Sequence, residues 1–138
     1  MRYFKYVQFQ VSPPFTFSSN IQAIKLSDAT PEVGTVGTVT GWGTFSPKDP
    51  TNYPNNLQMK EVSIMEPTEC SSFTNSKTSL CTFATTGGPC DSRDPLAADG
   101  VLIGIASIIS CGDNEHPDVY TDISLFRTWI RKNTGMDV

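Results

Sequence analysis

Apolar residues in this chain fall into short runs separated by Gly, Pro, Ser and Asn/Asp. Most runs alternate apolar with polar and do not recur at helical spacing, which predicts strands joined by frequent turns. Tyr3 to Val11 predicts a strand with Tyr3, Val7, Phe9 and Val11 on one side and Gln8 and Gln10 on the other, Lys5 interrupting the apolar side. Ser12-Pro13-Pro14 stops it, because prolines remove ladder donors. Phe15-Thr16-Phe17 is a short extended piece, and Asn20 to Leu26, with Ile21, Ile24 and Leu26, is an extended connector lying on a surface. Ser27 to Gly34 is polar and turn-like. Gly34 to Thr40 alternates small and β-branched residues into Gly41-Trp42-Gly43, where glycines let a strand bend and let the indole lie against backbone. Ser46 to Asn56, with Pro47, Pro50 and Pro54, predicts an exposed loop, and the alternation from Leu57 to Met65 predicts a strand.

Further on, Glu66-Pro67-Thr68-Glu69-Cys70 reads as a short helix start, with Pro at a first position and an acid in the first turn. Ser79 to Phe83 is a strand. The nearly continuous apolar run Val101 to Ile109 predicts a strand buried on both faces, and Asp118 to Ile123 another strand. A helix from Ser124 to Asn133 closes the chain, with Ser124 as its cap. Leu125 and Trp129, with Phe126 and Ile130, face inward, Arg127, Arg131 and Lys132 lie outside or near the negative end, and Gly135 is the stop. Between the strands, Cys90-Asp91-Ser92-Arg93-Asp94-Pro95-Leu96 is turn-rich. An Asp-Ser pair before proline is ordinary turn chemistry, yet a loop on a rigid β-scaffold is also where a nucleophile would sit.

Composition narrows the class. A chain of 138 residues suffices for one domain, and 38% hydrophobic residues, 17% charged, and ten each of Gly and Pro point to an all-β fold. The net charge of −4, with no basic cluster, argues against a nucleic-acid partner, and no apolar run approaches a membrane span. Cys70, Cys81, Cys90 and Cys111 allow three disulfide connectivities; none forms a Cys-x-x-Cys pair and His116 is the sole histidine, so a metal site is poorly supported. No phosphate-loop, dinucleotide or calcium motif appears, and no cofactor is expected. The even cysteine count favours disulfides and an oxidising compartment, whereas Met1 to Gln8 has no signal-peptide core. Secretion would then rely on a segment not shown, or the chain is truncated or alternatively started.

Four features stand in a fixed order: Thr40-Gly41-Trp42-Gly43-Thr44; Cys70 and Cys81; Asp91-Ser92-Arg93-Asp94-Pro95-Leu96; and Pro117-Asp118-Val119-Tyr120-Thr121 ahead of Trp129-Ile130. Together they resemble the chymotrypsin/trypsin-like serine endopeptidases, especially insect digestive or venom members, from about Val11 to Asn133. The resemblance implies the second, six-stranded antiparallel Greek-key β-barrel of that fold plus a C-terminal α-helix. Residues 1–30 would be a residual strand and inter-barrel connector, and 31–138 the barrel and helix. It implies the disulfides Cys70–Cys81 and Cys90–Cys111, Ser92 at the nucleophile position and Asp91 at the position of the acid that pairs with a freed amino terminus. It also implies Gly88 at the pocket floor, Ser107 as the strand serine that bonds substrate backbone, and Asp118 on the pocket wall. Asp118 is equally readable as a solvated strand-end carboxylate. Ile109 stands where the pocket mouth usually has glycine and should narrow it.

The departures matter as much. The family pattern is Gly-Asp-Ser-Gly-Gly-Pro-Leu with one more residue after the cysteine, but here Cys90 meets Asp91 directly. Two residues are missing, including the glycine whose N–H forms half of the oxyanion hole, and Arg93 and Asp94 replace the two following glycines. The family's histidine belongs to a first barrel that this chain lacks, its aspartate would fall near Lys5, and His116 reads as an exposed loop residue. A serine hydroxyl without a base is a poor nucleophile. The expected function is therefore a serine protease homologue, secreted, acting by binding a protein or peptide ligand. The alternative is a truncated or mis-spliced product of an active secreted endopeptidase. A two-chain assembly, in which a partner supplies the first barrel, ranks third. A second barrel alone should expose the apolar face a first would cover, so association, with itself or a partner, is expected unless Tyr3 to Val11 folds over it.

Overall fold

A computed structural model of the chain describes residues 9–44, 52–74, 77–83, 90, 94–111 and 115–138. Its strands are β1 (Lys25–Leu26), β2 (Val36–Gly41), β3 (Gln58–Ile64), β4 (Ser79–Phe83), β5 (Pro95–Ala98), β6 (Val101–Ile108) and β7 (Asp118–Asp122). Helix α1 (Pro67–Cys70) lies between β3 and β4. A 3₁₀ turn (Ile123–Phe126) runs into helix α2 (Arg127–Thr134). Strands β2, β3, β4, β7, β6 and β5 pair antiparallel in that order and close on each other, so six strands form a barrel, with β1 added parallel to β6. The all-β expectation with a C-terminal helix holds.

Alternation, with a register shift at Ile103 where β6 pairs β5, explains the lumen. Val39, Val62, Ile64, Leu80, Leu96, Ile103, Ala106 and Tyr120 all point inward and form one buried cluster. Each fully buried Val, Leu or Ile among them contributes roughly 1.5–3 kcal/mol. Val119, on the opposite face of β7 from Tyr120, packs outside with Cys70, Cys81 and Met65. The Cys70–Cys81 bond ties α1 to β4 with the Cα atoms 5.4 Å apart.

Register assigns each connection to a barrel end. Gly41 pairs Gln58, Thr82 pairs Asp118, and Pro95 pairs Ile105. The β2–β3, β4–β5 and β6–β7 connections therefore lie at one end, called upper. The other end carries the Gly34 turn, α1, the β5–β6 hairpin and Asp122. Gly34 takes φ +81, and the Thr35 N–H donates to the Glu32 carbonyl (3.1 Å), a turn that a Cβ would strain. In the hairpin, Asp99 and Gly100 both have positive φ (49° and 75°), the type I′ geometry that matches strand twist.

Several expectations change. Phe9, Gln10 and Val11 are exposed and in no strand; no neighbour pairs with them among the described residues, and the rest of the expected Tyr3–Val11 strand lies outside those residues. Strand β5 was not foreseen, because Pro95 reads as a break; at the first position of a strand it is tolerated. Strand β6 is not buried throughout, since Ile108 is exposed at the rim. Asp122, not Ser124, caps the terminal segment: its carboxylate accepts from the Ser124 N–H (2.9 Å) and Oγ (2.6 Å). Leu125 and Trp129 are only partly covered, 51% and 38% exposed, while Arg127 is half-buried and donates to the carbonyls of Leu26 (2.9 Å) and Ser27 (3.4 Å). The αL residue Gly135 (φ 70°) ends the helix as expected. No helix among the described residues is long and apolar enough to cross a membrane.

Candidate functional site

Because β5 pairs with β2 and β6 and not with β4, Phe83 and Pro95 both stand at the upper end but on strands that are not neighbours, and the connection between them is a crossover. That crossover carries the Cys90–Leu96 motif. Ser92, Asp91 and Gly88 lie outside the described residues; the two anchors beside the motif, Cys90 and Asp94, lie inside them. Cys90 is bonded to Cys111 of the β6–β7 connection, with the Cα atoms 4.5 Å apart, so the two upper loops are held together. Cys111 has φ 62°, a conformation uncommon for a residue with a Cβ.

Asp94 is the second anchor. Its carbonyl accepts from the Ala106 N–H (2.9 Å), and its side chain is 8% exposed. The carboxylate sits against Gly41, where an added Cβ would overlap all three carboxyl atoms. Gly41 is therefore required by contact with Asp94, in addition to any bending of the strand. Trp42, beside it, is half-exposed.

Below the crossover the lumen is polar. Asp118 is 1% exposed, and its Oδ1 accepts from both the N–H and the Oγ of Ser110 at 2.8 Å. The solvated strand-end reading of Asp118 is thus wrong; bonding to the β6–β7 connection holds the carboxylate inside. Two residues along β7, and so on the same face, Tyr120 is fully buried. Burial pushes its phenol well above the ordinary tyrosine value. The neighbouring Asp118 adds to this, the Thr82 hydroxyl opposes it, and Asp94 adds further. Tyr120 is a neutral hydroxyl at every physiological pH. Asp94, Thr82, Asp118 and Tyr120 thus form a buried polar layer at the upper end of the lumen. Sequence reasoning had not singled out Tyr120 or Thr82; the alternation Asp118-Val119-Tyr120 was the available signal.

Ser107 is half-buried and sits at a register shift: Ala106 opposes Tyr120 but Ile108 opposes Val119. Such a bulge re-aims the side chain it carries. Ile109 is half-buried and packs on the lumen cluster. Ser107, Ile109 and Asp118 therefore share the upper end with the crossover. His116 is exposed and meets Phe73 edge-on, ring centroids 6.0 Å apart and planes at 77°. No cluster of three or more metal-ligating side chains exists among the described residues.

The trypsin family model matches residues 6–130. This chain belongs to the trypsin family of serine proteases. It is 34% identical over 133 residues to trypsin delta of Drosophila melanogaster, covering 90% of this chain and 52% of that protein. It is 36% identical over 132 residues to a trypsin of Sarcophaga bullata, covering 89% and 52%. Among solved structures it is similar to neuropsin, a serine protease expressed in the limbic system of mouse brain, with a TM-score of 0.72 and 32% identity over 86% of this chain and 56% of that one. The chain spans about half the length of the relatives it matches. Membership fits the barrel, its upper-end crossover and both disulfides, each of which joins the cysteines that the resemblance implied.

Proposed function

We propose that this chain is a serine protease homologue that binds a protein or peptide ligand without cleaving it, in an oxidising extracellular compartment. The observation that carries this reading is Asp94. A buried carboxylate is wedged against Gly41 two residues after Ser92 in the sequence, at a position where the family pattern has glycine. The loop is also two residues shorter than that pattern, and it lacks the glycine that supplies an oxyanion-hole donor. Losing one such donor costs roughly 10²–10³ in rate. The only histidine, His116, is engaged with Phe73, and a serine without a base is a weak nucleophile. On this reading Ser92 and Asp91 are remnants of the nucleophile and activation acid, and Gly88, Ser107, Ile109 and Asp118 shape a binding surface. The two disulfides support the compartment.

A second reading rests on the coverage of about half of each relative. Here a first barrel, on a longer chain or a partner, covers the exposed Trp42, Leu57 and Met59 and brings a histidine and an aspartate to Ser92. A fluorophosphonate probe separates the two. The binding reading expects no labelling of Ser92, alone or with a histidine-bearing first barrel added. Stoichiometric labelling at Ser92 would overturn it.

A further inference from the structure

The lower end of the barrel carries an open cavity of about 170 Å³, at the opposite end from Cys90 and Asp94. Val33, Ile64, Met65, Leu80 and Leu125 make its walls mostly apolar, and Lys77 supplies a cation. An apolar cavity of about 150 Å³ accepts one benzene ring, so this volume suits one aromatic or branched alkyl group. Two charged residues line it, and they are not equivalent. Asp122 already accepts hydrogen bonds from Thr30 Oγ1 (2.5 Å), Ser124 N (2.9 Å) and Ser124 Oγ (2.6 Å), so most of its acceptor capacity is taken by the fold. Lys77 is exposed and has no carboxylate within ion-pair distance among the described residues. The exposed Glu32, Glu66 and Glu69 adjoin lining residues along the chain, so a second negative charge on a ligand would be opposed.

We infer that this cavity is a binding site for a small monocarboxylate bearing one aromatic or branched alkyl group, the apolar group in the cavity and the carboxylate at Lys77. The same chemistry occurs as a free acid and as the C-terminal residue of a peptide. The reading is independent of the Ser92 loop.

The test uses the full chain with ¹³C-labelled methionine methyls, monitoring Met65. Titration with 3-phenylpropanoate should shift that signal saturably below about 10 mM. The acid should bind about threefold to fivefold tighter than 3-phenylpropanamide, the scale of an exposed ion pair. Lys77→Met should erase that preference while leaving the amide's affinity unchanged. Val33→Asp, at a half-exposed position that should not disturb folding, should abolish saturation. The dianion phenylsuccinate should bind more weakly than the monoanion. A peptide ending in Phe that saturates while the free acid does not would still support the chemistry and assign the source to a chain terminus. No saturation by either probe, or equal binding of acid and amide, overturns the assignment.

Discussion

The contact between Gly41 and Asp94 makes a sharp prediction, because it links two motifs 53 residues apart in sequence. Gly41→Ala places a methyl group inside the Asp94 carboxylate. Asp94 has little freedom to withdraw: it is 8% exposed and its carbonyl is bonded to the Ala106 N–H. Inserting a methyl into such a site typically costs about 1–3 kcal/mol, and the upper end of that range applies where the obstacle is pinned. In the Asp94→Gly background the obstacle is gone. Gly41→Ala should then be nearly neutral, or gain a few tenths of a kcal/mol by stiffening the unfolded chain, on the order of the usual Gly-to-Ala effect. The coupling energy of the double-mutant cycle should therefore be about 1–3 kcal/mol. Urea unfolding monitored by tryptophan fluorescence measures all four corners, and the wild-type to Gly41→Ala step should lower the melting temperature by roughly 3–10 °C. Additivity within about 0.5 kcal/mol would refute the contact, since only groups that do not share a site behave so.

Asp122→Ala should cost about 1–2 kcal/mol in urea unfolding, because it removes the cap of the Ser124 N–H together with the tie to Thr30. Arg127→Met should cost only about 1 kcal/mol, since the guanidinium is half-exposed; hydrogen exchange should show its specific effect as lost protection of the Ser27 N–H, which bonds Leu102 beside the carbonyls that Arg127 holds. Tyr120 gives a pH signature. Its folded value is raised, so its contribution is complete below the unfolded value near 10 and is lost as pH rises above that; unfolding free energy measured across the alkaline range should fall in wild type and fall less steeply in Tyr120→Phe, whereas parallel curves would remove Tyr120 from the account.

Elements are legible in the sequence where local rules and the tertiary structure agree. β3 was readable because its alternation matches a barrel wall with one buried face, and α1 because Pro67 and Glu69 suit a helix start; β4 is a run of β-formers buried on both faces, Leu80 in the lumen and Cys81 outside. β5 was hidden: it has four residues and begins with proline, and only the Asp99-Gly100 turn hinted at a hairpin. The cap was misassigned by two residues, because Asp122 belongs to a strand by pattern yet ends that strand by capping the 3₁₀ turn at Ile123–Phe126. The inward stripe of the last helix was read from spacing alone, but Trp129 and Leu125 remain substantially exposed. In the site, Asp118 could not be resolved as wall or solvated end, since its burial depends on Ser110 crossing back from β6. Asp94 was seen as a replaced glycine. That its carboxylate turns inward against Gly41 is a long-range fact that no local pattern encodes.

The same two anchors bear on what could restore chemistry at Ser92. Cys90 is fixed to Cys111 and Asp94 is fixed to Ala106, with three residues between them. The family pattern places five residues in that interval. Each residue extends a chain by at most about 3.5 Å, so two fewer remove roughly 7 Å of reach between points that cannot move toward each other freely. Side-chain identity and loop length are therefore separate defects. Arg93→Gly with Asp94→Gly repairs the first and leaves the second. That variant should remain silent to a fluorophosphonate probe even beside a histidine-bearing first barrel, because an oxyanion cradle needs backbone donors at set positions and not merely permissive glycines. If the glycine variant labels without any insertion after Cys90, loop length is not the limiting defect and the substituted side chains alone account for the loss.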